Sequence, residues 1–355
     1  MIYLDNAATT KPCDEAKAAV MKGLEVFGNP SSLHRAGLDA ELLVSDAREI
    51  IADALGVTPD EVYFTSGATE SNNTAIFGAY KAHGKRKKRV VISSVEHPAV
   101  KNPAQELEDM GCEVIRISPD ENGEINARDI FAAVNEDTFL VSCMLVNNEN
   151  GYILPVEKAF SMIKKKYPQV LTHCDCVQGF MKIPVKAKKL NADMISLSGH
   201  KIYAPKGIGA LYVKKGLRLP PLTFGGGQER GMRPGTEAVP NIAAFAKACE
   251  IRMAHFDEDY AHVQELADYL KQQVSAELVK PDENHDFSLL SVILAAGETD
   301  KTVLKKLKKL SDERKYQSGK HGWSSIRLAV VDLDTHKVHT NRMGDSLKNI
   351  LQPLV

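Results

Sequence analysis

From about residue 61 to residue 213, short apolar segments alternate with segments of helical spacing, and this alternation constrains the fold more than any other feature. Glu61-Val62-Tyr63-Phe64-Thr65, Arg89-Val90-Val91-Ile92-Ser93, Glu113-Val114-Ile115-Arg116-Ile117 and the stretches 138–145, 170–175 and 207–213 read as strands by β-branched and aromatic content. Residues 14–27, 38–55, 75–82, 100–110, 125–134 and 159–166 carry helical spacing. Such an alternation predicts an α/β fold whose mainly parallel sheet is covered on both faces. Further on, residues 240–274 read as a long helical region crossing into a second domain. Beyond it, 287–294 reads as a strand, 301–311 as an amphipathic helix, and 326–331 and 347–354 are apolar. The expected division is a large domain, 14–248, and a small one made of 1–13 with 249–355. A chain of 355 residues has room for both.

Charge excludes several classes of partner. Formal net charge is -1, so no nucleic-acid footprint or electrostatic membrane anchor is expected. No apolar run reaches the ~18 residues of a membrane span, and the cytoplasm is the expected compartment.

Polar residues recur just past strand ends: Ser66 to Thr69, Glu96-His97, Asn147-Asn148, Asp175 with Gln178, and Ser198 to Lys201. In open α/β sheets that edge binds ligands. Ser66-Gly67-Ala68-Thr69 stands between a strand and a helix, where free backbone N–H groups can hold an anion. From those residues alone a plain Ser/Thr helix cap is the favoured reading. No G-x-G-x-x-G follows the first strand, so a dinucleotide site is disfavoured. A carboxylate, an imidazole, an amide and an amine around an anion cradle suit a charged aromatic cofactor better.

The amine is Lys201, in Ser198-Gly199-His200-Lys201, directly after the apolar run 192–197. At a buried strand end a lysine is partly desolvated, which favours the neutral amine that condenses with an aldehyde; on a surface loop it would be a solvated cation. The passage 224–236, rich in Gly, Arg and Thr, is too long for a plain linker and reads as functional.

Six cysteines are scattered through the chain and are expected as free thiols. His173-Cys174-Asp175-Cys176 resembles a metal cluster on paper. On a strand, Cys174 and Cys176 share one face and His173 and Asp175 the other, so no metal site is expected.

Taken together, Leu4-Asp5-Asn6-Ala7-Ala8-Thr9-Thr10, Gly28-Asn29-Pro30-Ser31-Ser32-Leu33-His34, Phe64 to Asn72, Glu96-His97, Asn147-Asn148-Glu149, Asp175 with Gln178, and Ser198-Gly199-His200-Lys201 resemble the cysteine desulfurases. These are pyridoxal-phosphate enzymes of the class V aminotransferase group. The resemblance runs in order from residue 3 to about residue 250. It implies fold type I, with a seven-stranded, mainly parallel sheet in the large domain, a small α+β C-terminal domain, and a homodimer. It implies pyridoxal 5'-phosphate as cofactor, L-cysteine or a related amino acid as substrate through an external aldimine, release of sulfur and alanine, and a place in sulfur metabolism and iron–sulfur cluster assembly. Lys201 would be the Schiff-base lysine and proton shuttle, and Asp175 would keep the ring nitrogen protonated. His97 would stack on the ring, Asn148 and Gln178 would bond its phenolic oxygen, and Ala68, Thr69, Ser198 and His200 would hold the phosphate. Thr236 would complete the partner's phosphate site, and Arg342 and Asn29 would meet the substrate, with Arg327 a local alternative to Arg342. A sulfur-acceptor or scaffold protein is the further partner the family implies.

One departure stands out. The family's nucleophilic loop cysteine has no counterpart: the matching segment, 313–320, contains Tyr316 near that position, and no cysteine follows Cys249. A tyrosine hydroxyl cannot carry a persulfide, and its pKa near ~10 makes it a poor nucleophile. Three readings stay open: a relative that has lost persulfide formation and serves as enzyme of another amino acid or as dimeric scaffold or regulator; substitution by Cys176, whose plain reading is a small buried residue; or departure of sulfur to an external thiol or reductant, as in lyase-like relatives.

Overall fold

The protein is described from a computed structural model, which covers residues 2–3, 5–120, 123–149, 151–265, 330–332 and 337–339. The chain falls into two units. One comprises Met1–Thr9, Asn148–Tyr152 and His255–Val355; the other comprises Thr10–Asn147 and Ile153–Ala254. These borders differ from a division at 14–248. Residues 10–13 join the larger unit because Thr10 and Cys13 bond to the turn at 200–203, and the last helix of that unit runs on to Ala254. The segments 287–294, 301–311, 313–320 and 347–354 lie outside the described residues, as does the remainder of 240–274 beyond residue 265.

The larger unit is built on seven strands: β2 (Val62–Thr65), β3 (Arg89–Ser93), β4 (Glu113–Ile117), β5 (Thr138–Met144), β6 (Leu171–Asp175), β7 (Met194–Ser198) and β8 (Gly209–Val213). Their order is β2-β8-β7-β6-β5-β3-β4. The run β7-β6-β5-β3-β4 is parallel, and β8 is antiparallel to both its neighbours. Every residue of β5 to β8 is buried, as expected of strands covered on both faces. In the other unit, β1 (Ile2–Tyr3), β9 (Val330–Asp332) and β10 (Lys337–His339) form an antiparallel sheet in the order β1-β9-β10.

The helices of the larger unit are α1 (Asp14–Glu25), α2 (Arg35–Leu55), α3 (Ala68–His83), α4 (Pro98–Asp109), α5 (Ala127–Ala132), α6 (Val156–Lys166), α7 (Ala187–Leu190) and α8 (Val239–Ala254). Several begin earlier than apolar spacing indicates, α2 and α3 among them. Helix α2 starts at Arg35 because His34 caps it, its Nδ1 accepting from Gly37 N at 3.3 Å. Helix α3 starts at Ala68, through the small polar residues that resemble a turn. Against α1 and α2 packs α8, so closely that a Cβ on Gly23 would stand 2.6 Å from Pro240 Cα. Around Ile76, Val90, Ile92, Leu107, Phe139, Leu140 and Leu211 a core joins α3 and α4 to the sheet.

The glycine-rich passage is anchored rather than loose. Glu229 and Arg230 have positive φ values of 47° and 55°, a conformation most side chains avoid. Arg48 grips the Glu229 carboxylate with two bonds of 2.8 Å, and Phe64 N donates to the same carboxylate at 2.8 Å. Arg230 donates to Val62 O and lies 4.0 Å over the Tyr63 ring. Arg233 closes the far side on Glu70, at 2.9 Å.

Candidate active site

The register of the sheet sets the site. Thr65 and Ser198 both pair with Gly209, Ser196 pairs with Asp175, and Asp175 pairs with Met144. The ends of β2, β7, β6 and β5 therefore form one rim, and the residues following each strand stand along it.

At the β2 end the chain turns through Gly67, whose φ of 150° suits glycine and whose missing side chain faces open space. No side chain caps α3, and the first intrahelical bond runs from Ser71 N to Gly67 O. The amides of Ala68, Thr69 and Glu70 thus precede the helical ladder, as an anion-receiving turn requires. Thr69 is exposed and Ala68 half-buried.

Asp175, 4% exposed, ends β6. Its Oδ2 accepts from Asn72 Nδ2 at 2.7 Å and its Oδ1 from Val177 N at 3.0 Å. Burial pushes its pKa above the usual carboxylate range, and Val177, Asn72, His97 and Lys201 pull the other way. His97 and Lys201 are therefore the basic side chains near enough to act on Asp175. His97 begins α4 as its cap, with Nδ1 accepting from Ala99 N at 3.1 Å, and its side chain is exposed. Beside it Glu96 is 1% exposed, held by Ser93 Oγ and by Met144 N at 2.7 Å. Burial, with Asp175 nearby, lifts the Glu96 pKa to about 8, so it is neutral at pH 7. Among the described residues, Glu96 Oε2 and Asn72 Oδ1 have no hydrogen-bond partner.

Lys201 sits in a 3-10 turn, Gly199–Lys201, immediately after β7, and is half-buried. That turn is clamped from the chain's start. Thr10 N and Oγ1 donate to His200 O at 2.9 and 3.0 Å, Tyr203 N donates to Thr10 Oγ1 at 2.7 Å, and Cys13 N donates to Tyr203 O at 2.9 Å. Tyr203 has a φ of 70°, held in place by these bonds. Burial first, then Lys201, Lys206 and Lys182, lower the His200 pKa to about 4. Ser198 and Gln178 are both 4% exposed, and Gln178 Oε1 accepts from Lys182 Nζ at 2.9 Å.

Thr236 and Asn29 are exposed, and Asn29 Oδ1 accepts from Ser31 N at 2.9 Å. Asn148 falls in the segment of the other unit and is half-buried. Arg342, Arg327 and the segment 313–320 lie outside the described residues. Cys176 does not face the Asp175 side: its thiol lies 3.4 Å from Cys174 Sγ, on the opposite face of the strand, and is fully buried. Both His173 ring nitrogens meet serine hydroxyls, Ser142 at 2.8 Å and Ser196 at 2.9 Å, and burial lowers its pKa to about 3. Asn72, Thr10 and Lys182 are the residues that strand-end reading overlooks. Asn72 lies one helical turn beyond Ala68, and Lys182 one turn beyond Gln178, a spacing that could have found them.

Helix-forming segments among the described residues include none long and apolar enough to cross a membrane. The family model for aminotransferase class-V matches residues 2–309. A NifS/IcsS protein homolog of Lactobacillus delbrueckii subsp. bulgaricus is 44% identical over 79% of this chain and 74% of the relative. Cysteine desulfurase IscS of Dictyoglomus turgidum is 42% identical over 77% of this chain and 69% of its own. Among solved structures, a NifS-like protein superposes with a TM-score of 0.75 at 40% identity, covering 78% of this chain and 76% of that one. DndA from Streptomyces lividans does so with a TM-score of 0.68 at 38% identity, over 77% of this chain and 78% of that one. The rim of four strand ends, the seven-stranded sheet of fold type I and these likenesses agree: the chain belongs to the class-V aminotransferase family, whose members depend on pyridoxal phosphate, and is a cysteine desulfurase-like enzyme.

Proposed function

We propose that this chain binds pyridoxal 5'-phosphate at the rim and acts on L-cysteine or a closely related amino acid. The observation that carries the reading is buried Asp175, held by Asn72 of α3 and by Val177 N on the same rim as the Lys201 turn and the uncapped start of α3. Its donor set fits the cofactor group by group. The amides at Ala68 and Thr69, with Ser198 and His200, suit a phosphate; Asp175 suits a protonated ring nitrogen; Lys201 suits an aldehyde; Gln178 suits a phenolic oxygen. Once bound, the cofactor supplies an electron sink for charge developing at the substrate's Cα.

The protein's own contributions follow. Asp175, pinned at both oxygens, would hold a proton on the ring nitrogen, and His97 would stand against the ring. Lys201 would hold the aldehyde end, and its Nζ would take and return the proton of the substrate's Cα. Sulfur transfer needs a thiol, and the described cysteines argue against an internal one. All but Cys13 are buried, and burial raises the Cys143 and Cys174 thiols well above their ordinary range. Burial and nearby Glu15 also raise Cys13. An external thiol completes the balance: its sulfur attacks the substrate sulfur, the C–S bond breaks toward carbon, and the products are alanine and the thiol's persulfide. The second unit of the functional molecule is a further copy of this chain. Met21, Leu24, Phe27 and Leu33 stay exposed on and after α1, Phe27 to 87% and Leu33 to 93%, an apolar surface that suits burial against a partner.

Two measurements test the proposal. The cofactor-loaded protein shows a visible absorbance band that is missing in Lys201→Ala; a protein that takes up no cofactor overturns it. With cysteine and a small-molecule thiol, alanine and persulfide form together. If neither exceeds a cofactor-only control, the substrate assignment fails while the cofactor assignment stands. Scaffold duty without chemistry, the reading that the absent loop cysteine favours, then takes its place.

A further inference from the structure

The glycine-rich passage follows β2 toward the start of α3. Glu229 accepts from Phe64 N, Arg230 donates to Val62 O, and Arg233 Nε donates to Glu70 Oε1 at 2.9 Å. Behind Arg233 the passage closes on itself, with Gly235 N donating to Gln228 Oε1 at 3.1 Å. The two contacts on β2 already secure the passage to the sheet, and a half-buried pair such as Arg233 with Glu70 adds little stability of its own. What singles the pair out is its place. Glu70 is the third residue of α3, and its other oxygen, Oε2, accepts from Ser66 N at 2.7 Å. The carboxylate thus reaches back across the turn whose Ala68 and Thr69 amides precede the helical ladder. A carboxylate there suits the positive end of a helix and fixes the turn. It also sets a negative charge beside the amides that would receive an anion, and like charges so close repel.

We propose that Arg233 is a positioning residue of the anion-receiving turn: by pairing with Glu70 it offsets the carboxylate that fixes the turn, so that the turn takes a phosphate group instead of repelling it. The pair divides two tasks. Glu70 holds Ser66 N and with it the backbone shape of the turn, while Arg233 cancels the charge that this fixing brings. Burial works against the Glu70 charge, but the bonds from Ser66 and the Arg233 guanidinium outweigh it, and the carboxyl stays below the usual carboxylate range. Glu70 is therefore an anion at neutral pH, and without Arg233 it would face a phosphate dianion unopposed. The inference rests on the cofactor reading above, and its effect is confined to the phosphate end of the ligand.

The test titrates full-length apoprotein with pyridoxal 5'-phosphate and with pyridoxal, which has the ring and aldehyde but no phosphate, and reads the visible band. Arg233→Met is expected to weaken binding of the phosphorylated compound roughly 10-fold and to leave pyridoxal within about 2-fold of the parent. Glu70→Gln keeps an oxygen for Ser66 N and removes the charge, so adding it to Arg233→Met restores most of the lost affinity. A merely structural arginine would weaken both compounds alike and would not be rescued by neutralising Glu70. Equal loss for the two compounds, or no rescue in the double variant, overturns the proposal while uptake by the parent keeps the cofactor reading. Should Arg233→Met fail to fold, Glu70→Gln alone decides: binding of the phosphorylated compound about 3-fold tighter than in the parent supports the proposal, and unchanged or weaker binding overturns it. A parent that takes up neither compound sinks the cofactor reading and the proposal with it.

Discussion

Glu229 and Asp175 are both buried carboxylates, 5% and 4% exposed, yet they are held in opposite ways. Glu229 meets a guanidinium with both oxygens and a backbone N–H besides. Its charge is matched at contact distance, and the result is an anchor for the glycine-rich passage. Asp175 meets a side-chain amide and a backbone N–H instead of a guanidinium. Around it the accounts stay open: Glu96 Oε2 and Asn72 Oδ1 are buried without partners among the described residues. A closed network holds structure, while an open one retains capacity for a ligand's charge. The cost of unmatched polar groups is tolerated where chemistry needs them.

That contrast can be broken by measurement. The largest effect is expected at the open site: Lys201→Ala should lower turnover of the loaded enzyme by roughly 10,000-fold, the upper range for a group that moves a proton, with little change in unfolding midpoint. Arg48→Ala should do the reverse. Stranding Glu229 should cost about 3–5 kcal/mol of stability in denaturant unfolding, and a loss under about 1 kcal/mol would end the distinction between the two carboxylates. For Glu96 the sign follows from its raised pKa. The stabilisation is complete below the ordinary carboxylate range and disappears as pH climbs through about 8. Stability of the parent should therefore fall from pH 5 to pH 8.5 by up to roughly 4 kcal/mol, and Glu96→Gln should flatten that slope. The smallest effect belongs to the exposed pair Lys247 with Glu250 on α8, 2.7 Å apart. Glu250→Gln should change stability by under about 0.5 kcal/mol, which calibrates the others.

How much of this was legible in the residues depends on range. Strand cores such as 113–117 carry their own signal, because β-branched residues fit a covered sheet wherever it stands. Helix starts carry less. The cap of α2 is a histidine, and α3 begins in Ala68-Thr69-Glu70-Ser71, whose polarity resembles a turn. Cys176 follows Asp175 directly in sequence, yet strand alternation, applied to Cys174 and Cys176 alike, turns its thiol to the other face. Partnerships across long separations left no local mark: Asn72 with Asp175 spans 103 residues and Arg48 with Glu229 spans 181. Each exists only because the sheet order brings its members together.

The Thr10 clamp has a consequence for how the protein comes into being. It joins residues 190 apart in sequence, so nearly the whole of the larger unit must be in place before the turn at Lys201 takes its final shape. During synthesis the amine therefore stays unprepared while the first six strands of that sheet form. On the proposed reading of the site, capture of an aldehyde at Lys201 would then be a late event.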